Sequence, residues 1–469
     1  MQHTKNYSLS KVKSLPFLGL LIPAIKDPSG MAIDLSQNNG DIILFNVMGH
    51  KVMQVNHPDL VKRIFIENQK NYKKNKAYIR FEPAIGLGLL TSNGDKWKRD
   101  RQKIQPMFNR ERISGYYFDI VNMVSEKYKK RWFKLTEGGK VRINITEEMA
   151  KITTEVILRA IFGKNITDET VISLHNSYSV LIEYVKNIRI LHSVDLRKLF
   201  YMPAYFRFRR ELKNIDDRLS SLIEEHRLNK SQDNKNLLNL LLEAQKQDPE
   251  NFTDKDIRDH AVSMVFAGFE STSILMQWIW YVLDDYAQVK DKLRDDIVRH
   301  APCTKTEDSG ELTFAEIQNM EYMPLVLKET MRLYPPFWMT GREAIEDDYF
   351  GDFKVEKGTN IVISQLAMHR HHKFWNDPNS FIPERFLPEN ESKIDDGIYF
   401  PFLHGGRKCS GYMFVDMEAK TIIAKLLPLF NVTALNKMNN RLNPGISLKL
   451  KKPLMVEIER LSKRNDNLP

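Results

Sequence analysis

Cysteine is nearly absent from this 469-residue sequence: there are two, Cys303 and Cys409, and no CxxC pair. Two cysteines allow one disulfide at most rather than a framework, and so few fit a reducing compartment. They also exclude a cysteine-clustered zinc site. Long apolar runs are missing too. Residues 16–25 are too few to cross a bilayer, and no signal-like run precedes them. The stretch 261–283 is long enough, but Glu270, Ser271, Thr272, Ser273 and Gln277 interrupt it, which reads as a buried core helix. Proline- or glycine-rich linkers and internal repeats are lacking, while 42% of the residues are apolar. One large folded unit over 1–469 is expected, with a polar lead-in over 1–40 and a frayed tail over 459–469. Acidic residues fall short of basic ones, 60 against 70, but the net charge of +10 is scattered along the chain. A nucleic-acid face needs clustered charge, so that class is set aside.

What is present centres on Phe402-Leu403-His404-Gly405-Gly406-Arg407-Lys408-Cys409-Ser410-Gly411. Glycines 405, 406 and 411 allow backbone angles and close approaches that a Cβ would forbid. Apolar residues at helical spacing follow over 412–427, so Cys409 is expected just before a helix N-terminus, where the dipole favours a thiolate. A single thiolate in a glycine-lined loop suits an axial ligand of haem iron. A buried cysteine in a tight turn is the plainer alternative.

The spacing Phe402-x-x-Gly405-x-Arg407-x-Cys409-x-Gly411 resembles the haem-binding loop of the cytochrome P450 family. Four further motifs resemble the same family in order. Trp97-x-x-x-Arg101 sits at a helix start, where members hold a haem propionate, although this chain has Asp100 where many have histidine. Ala267-Gly268-Phe269-Glu270-Ser271-Thr272 resembles the oxygen-activation hexad, with Ser271 in place of the usual threonine. Glu329-Thr330-Met331-Arg332 with Phe381-Ile382-Pro383-Glu384-Arg385-Phe386 resembles a buried anchor, which makes Glu329, Arg332 and Arg385 structural. Arg342 stands where members pair a second propionate. His369, His371 and His372 fall in the family's His-Arg-x-x-x-x-Trp-x-x-Pro region, implying surface or structural roles.

The resemblance implies a mainly α protein with a small β-rich region, a single large haem domain with the cytochrome P450 fold. It implies haem b (iron protoporphyrin IX) bound through Cys409. Trp97, Arg101, Arg342 and Arg407 would meet its propionates, and Phe402, Gly405, Gly411, Ala267 and Gly268 would line it. Glu270, Ser271 and Thr272 would be catalytic, managing proton delivery. The activity implied is insertion of one oxygen atom from O2 into a hydrophobic small molecule of fatty-acid, terpenoid or steroid size. No reductase sequence follows the last motifs, so electrons are expected from a separate ferredoxin, flavodoxin or reductase, docking on Lys98, Arg99, Lys103 and Lys408. A soluble, cytoplasmic monomer without a spanning segment is expected, unless a native N-terminal anchor is missing. The rivals are a haem-thiolate peroxygenase, isomerase or dehydratase, and a haem-binding sensor.

Local signals add detail. Strands are expected around Gly49-His50 and in a hairpin around Gly358 joining 353–355 to 360–363. A helix is expected from Pro58, another from Thr146 or Glu147, and a long central one from Thr253 to about Asp285 with Asp256 capping it. Residues 199–210, aromatic and basic around Pro203, read as a corner between helices. Residues 81–90, 191–208, 262–272 and 337–341 are expected to wall the substrate pocket.

Overall fold

The computed structural model describes residues 6–13, 18–191, 202–228, 235–306, 310–438 and 442–461. The chain divides into two compact units, each assembled from distant segments: 1–80 with 328–409 and 442–449, and 81–327 with 410–441 and 450–469. The strands in chain order are β1 (Leu9–Lys11), β2 (Ile42–Val47), β3 (His50–Val55), β4 (Tyr72–Lys74), β5 (Val141–Asn144), β6 (Thr340–Ala344), β7 (Asp348–Phe350), β8 (Phe353–Val355), β9 (Asn360–Ile363), β10 (Phe430–Ala434), β11 (Leu442–Pro444), β12 (Leu448–Leu450) and β13 (Met455–Arg460).

The first unit is built on a six-stranded sheet in the order β1-β2-β3-β9-β6-β4. β2 and β3 form a hairpin through Met48 and Gly49, both at positive φ (51° and 78°). Two such residues in a two-residue loop make the turn that matches the twist of paired strands. Both faces of the sheet are covered, which is why β2 opens with four consecutive apolar residues, Ile42 to Phe45. Ile42, Met53, Val55, Ile361 and Ile363 join one core, while Ile43, Phe45, Val52 and Val362 join another on the alternate positions.

The expected hairpin between 353–355 and 360–363 does not form. β8 turns back through Gly351 (φ 59°) to pair with β7, and β9 inserts between β3 and β6. β9 carries apolar side chains on both faces, so it gains most from an interior place in a two-sided sheet.

The second unit is mainly helical. Its central helix, Asp254–Asp285, spans about 48 Å at 1.5 Å per residue. Thr253 and Asp256 close the expected capping box. The helix packs along Ile145–Phe162, which begins one residue earlier than expected because Asn144 is its cap, accepting from the Glu147 N–H. Residues 141–144 are a strand, β5, paired with β13 in the sheet β10-β13-β5.

Of the corner expected over 199–210, residues 199–201 lie outside the described residues, and 202–210 belong to the helix Met202–Leu228. The part of the expected tail that is described, 459–461, continues β13 through Arg460, and 462–469 lie outside. Among the described residues no helix is long and apolar enough to cross a membrane.

Candidate functional site

In the first unit, residues 402–409 close on themselves. The Cys409 N–H donates to the Phe402 carbonyl at 2.9 Å, and the Lys408 N–H to the Gly405 carbonyl at 3.1 Å. Leu403 and Gly405 both take positive φ, 59° and 63°. A Cβ on Gly405 would lie 1.9 Å from the Phe65 carbonyl oxygen, so only glycine fits there. Gln69 Oε1 accepts from the Gly406 N–H at 2.8 Å, tying the loop to the segment beside it. The result presents Cys409 as an exposed thiol, three residues before the helix Tyr412–Leu426. Gly411 corrects the sequence expectation: its φ is −93° and a Cβ would meet nothing nearer than 3.9 Å, so the polypeptide does not itself demand glycine there.

A buried network stands behind this loop. Arg332 donates to Glu329 through Nε (2.6 Å) and Nη2 (2.8 Å), and both side chains are fully buried. The same guanidinium donates to the carbonyls of His369, Pro378 and Ser380, and lies over the Trp375 ring. Glu329 also accepts from the Ile382 N–H at 2.8 Å, with Arg385 Nε at 3.4 Å. His369 extends the network, because its Nε2 accepts from the Phe400 N–H at 3.1 Å. Burial, with help from the Arg332 charge, pushes its pKa down to about 3, so the ring is a neutral acceptor. Phe400 is two residues from Phe402, where the cysteine loop begins. The sequence signalled the Glu and Arg spacing, but nothing in it marked His369 as the link between anchor and loop. His371 is also buried, and among the described residues no three His, Cys, Asp or Glu side chains gather as a metal site.

Arg342, on β6, is 2% exposed. Its guanidinium donates to the Thr340 hydroxyl (3.1 Å) and the Gly341 carbonyl (2.8 Å), and lies 4.9 Å above the Phe65 ring. Burial pushes its pKa down, and only Tyr78 opposes the shift. All these partners are neutral, and no carboxylate is within ion-pair reach among the described residues. A buried cation without a counter-charge is costly. It is the setting an anionic group such as a haem propionate would complete. The residues of this unit therefore fit haem: an exposed cysteine on a pinned loop, and a buried guanidinium whose partners are all neutral.

In the second unit, Trp97 and Arg101 sit one turn apart on the helix Gly94–Ile104, and Arg101 Nη1 donates to the Ser410 hydroxyl. Asp100 turns inward instead. It is buried against Lys96 (3.0 Å) and His260 (3.1 Å), and Lys96 also reaches Asp256. Burial raises the Asp256 pKa, but Lys96 and the Thr253 cap outweigh it and hold it at about 2. A carboxylate at position 100 thus serves helix-to-helix attachment rather than an anion. Lys103, expected on a donor-docking face, is already paired with Asp248 at 2.9 Å, whereas Lys98 and Arg99 are exposed.

From 259 to 280 the central helix is buried except at Met264, Ala267, Gly268 and Ser271, which form one open strip at helical spacing. Ser271 Oγ donates back to the Ala267 carbonyl at 2.6 Å. Glu270 and Thr272 lie off the strip, 3% and 0% exposed, so the structure brings only Ser271 of the three to the open face. Gly268 has a second reason to be small: a Cβ there would lie 2.8 Å from Ile157 Cγ1, so the glycine also admits the neighbouring helix. Sequence reasoning missed Glu418 altogether. It is buried on the Tyr412–Leu426 helix, and burial pushes its carboxyl well above the usual range while the Thr272 hydroxyl pulls it down.

Comparison with known proteins bears on both units. The family model described as Cytochrome P450 matches residues 10–458. The chain is 25% identical to an ultra-long-chain fatty acid omega-hydroxylase of Homo sapiens, covering 87% of this chain and 79% of that protein. It is 24% identical to a cyclooctatin synthase of Streptomyces melanosporofaciens, covering 92% of each. Cytochrome P450 734A1 of Arabidopsis thaliana is 29% identical, over 81% of this chain and 72% of that protein.

Proposed function

The chain belongs to the cytochrome P450 family, and from that premise we propose that it is a monooxygenase using haem b to insert one atom of O2 into a hydrophobic small molecule. Membership makes it a haem-dependent oxygenase; the substrate class, the form of haem and the residue roles are our reading. Fatty-acid, terpenoid or steroid size is in keeping with two relatives, one named for fatty acids and one for cyclooctatin. We take 1–469 as one haem domain, a soluble cytoplasmic monomer supplied with electrons by a separate ferredoxin, flavodoxin or reductase. The exposed Lys98 and Arg99 offer cations to an acidic donor.

The observation that carries the reading is the Cys409 loop, pinned by Gly405 and Gln69 and backed by the Glu329-Arg332-His369 network. Thiolate-ligated haem supplies the electron density that favours O–O cleavage. The chain's own groups hold and protect that chemistry. Cys409 offers the ligand sulfur. Arg342 offers a buried positive charge to a propionate, and Trp97, Arg101 and Arg407 offer further donors. Ser271 holds a hydroxyl on the open strip, where it would pass a proton towards the reacting oxygen. Glu270 and Thr272, off the strip, would support that hydroxyl rather than touch substrate.

The test is the reduced carbon monoxide complex. The wild-type protein gives the thiolate-type Soret band and Cys409→Ala does not; an unchanged band in the variant would rule out Cys409 as ligand. Turnover with reductase and O2, compared with peroxide alone, then separates a monooxygenase from a peroxygenase.

A further inference from the structure

Along the central helix, Asp259, Ser263, Ala267 and Ser271 form one i, i+4 ridge. The open strip includes the last two. The first two are covered by the loop 85–91 of the same unit. Leu87 donates its N–H to Asp259 Oδ2 at 2.9 Å, and Ser263 Oγ donates to the Ile85 carbonyl at 3.0 Å. Thr91 Oγ1 closes the loop on the Gly86 carbonyl at 2.6 Å. Two glycines permit the approach. A Cβ on Gly86 would lie 2.0 Å from Asp259 Oδ1, and one on Gly88 2.3 Å from Ser263 Oγ. Gly86 also takes φ 70°. The loop therefore ends the open strip about 6 Å short of Ala267, one ridge step along the axis.

Asp259 holds more than the loop. It is 2% exposed and accepts from Arg258 Nη1 at 2.9 Å and Lys255 Nζ at 2.7 Å. Lys255 is mostly in water and contributes little. Arg258 is mostly buried, and its other nitrogens donate to Asp216 at 2.7 Å on the helix Met202–Leu228. One buried carboxylate thus joins the loop 85–91, the central helix and, through a shared guanidinium, a third element. Oδ2 accepts from Leu87 and Lys255 and Oδ1 from Arg258, so losing the carboxylate would leave the Leu87 N–H without its acceptor.

We propose that Asp259 is the positioning residue that sets substrate size: it fixes the loop 85–91 as the end wall of the open strip and couples that wall to the helix Met202–Leu228 through Arg258. Asp259 touches neither substrate nor cofactor, so its effect is on what fits rather than on the reaction itself. The inference rests on the haem-monooxygenase reading only in taking the strip as the substrate face.

The test uses the ferric holoprotein of the full chain, with imidazole and 4-phenylimidazole as probes that ligate the same iron and differ by one ring. Asp259→Asn is expected to shift the ratio of their dissociation constants at least about fivefold in favour of the larger probe. It should also speed amide exchange at Leu87 by about tenfold or more, with other core amides unchanged. Gly88→Ala, which forces a Cβ against Ser263 with every charge intact, should shift the ratio the same way. Arg258→Gln should speed association of 4-phenylimidazole while leaving Leu87 exchange within about twofold. An unmoved ratio in Gly88→Ala overturns the proposal, and this variant decides alone if Asp259→Asn does not fold. Exchange that rises equally throughout Asp259→Asn also overturns it, since Asp259 would then be a general stability group. If the wild-type protein bound neither probe, the haem reading would fail; Leu87 exchange in the apoprotein would still decide whether Asp259 anchors the loop.

Discussion

Replacing Glu329 by glutamine removes one negative charge from a place where it has no substitute. The carboxylate accepts from Arg332 Nε at 2.6 Å, Arg332 Nη2 at 2.8 Å and the Ile382 N–H at 2.8 Å, with Arg385 beside it at 3.4 Å. Glutamine has the same shape, but its NH2 group would face a guanidinium N–H, donor against donor. Arg332 would remain fully buried with its charge uncompensated. Removing one partner of a buried pair costs about 3–5 kcal/mol, and the two short charge-assisted bonds put this case towards the upper end.

In many proteins a buried pair can be exchanged for apolar side chains at little cost. Here that rescue is expected to fail, because Arg332 also serves the carbonyls of His369, Pro378 and Ser380. The double variant Glu329→Leu with Arg332→Met should therefore be no more stable than Glu329→Gln. The assay is urea unfolding followed by far-UV circular dichroism, alongside haem content per chain. A loss below about 1 kcal/mol in Glu329→Gln, or recovery in the double variant, would refute the reasoning.

Three further outcomes follow from the geometry. His369 is held neutral, with a folded-state pKa near 3 against the ordinary 6.5, so its contribution is complete above about pH 6.5 and is lost as the pH falls towards 3. Between pH 6.5 and 4.5 it should account for about 2 kcal/mol of lost stability. The pH slope of His369→Gln, which has no imidazole to protonate, should be shallower by that amount; parallel slopes would show that His369 does not titrate on unfolding. Gly405→Ala meets both a φ of 63° and the Phe65 carbonyl, so the apoprotein should lose about 2 kcal/mol or more, whereas Gly411→Ala should stay within about 0.5 kcal/mol. Equal unfolding midpoints for the two variants would contradict this contrast. Ser271→Ala should lower the rate of oxygen insertion by about 10²-fold while the spectrum of the reduced carbon monoxide complex is kept; a rate within twofold of wild type would remove Ser271 from proton delivery.

Much was legible in the chain itself because its cause is local. The capping box at Thr253, the Pro58 helix start and the β2–β3 turn depend on residues within a few positions of one another. The cysteine loop belongs here too. Its five fixed residues lie within ten positions, and the positive φ at Gly405 belongs to that short stretch, although the Phe65 carbonyl that also bars a Cβ there does not.

Other features depend on what the chain meets after folding. A glycine in a helix reads the same whether or not another helix crosses it; Ile157, more than a hundred residues away, packs where a Cβ on Gly268 would stand. β8 and β9 are both plausible hairpin arms, but pairing energy depends on which faces end up covered, and β9 alone is apolar on both. His369 looked like one of three interchangeable histidines until Arg332 and Phe400 were found on either side of it. Sequence therefore determined the cysteine loop, several helix starts and the family, because those are written in short-range spacing. The tertiary structure decided which polar groups are buried together, at Arg342, Asp100 and Asp259, because a charge acquires its partner only when distant segments close around it and exclude water.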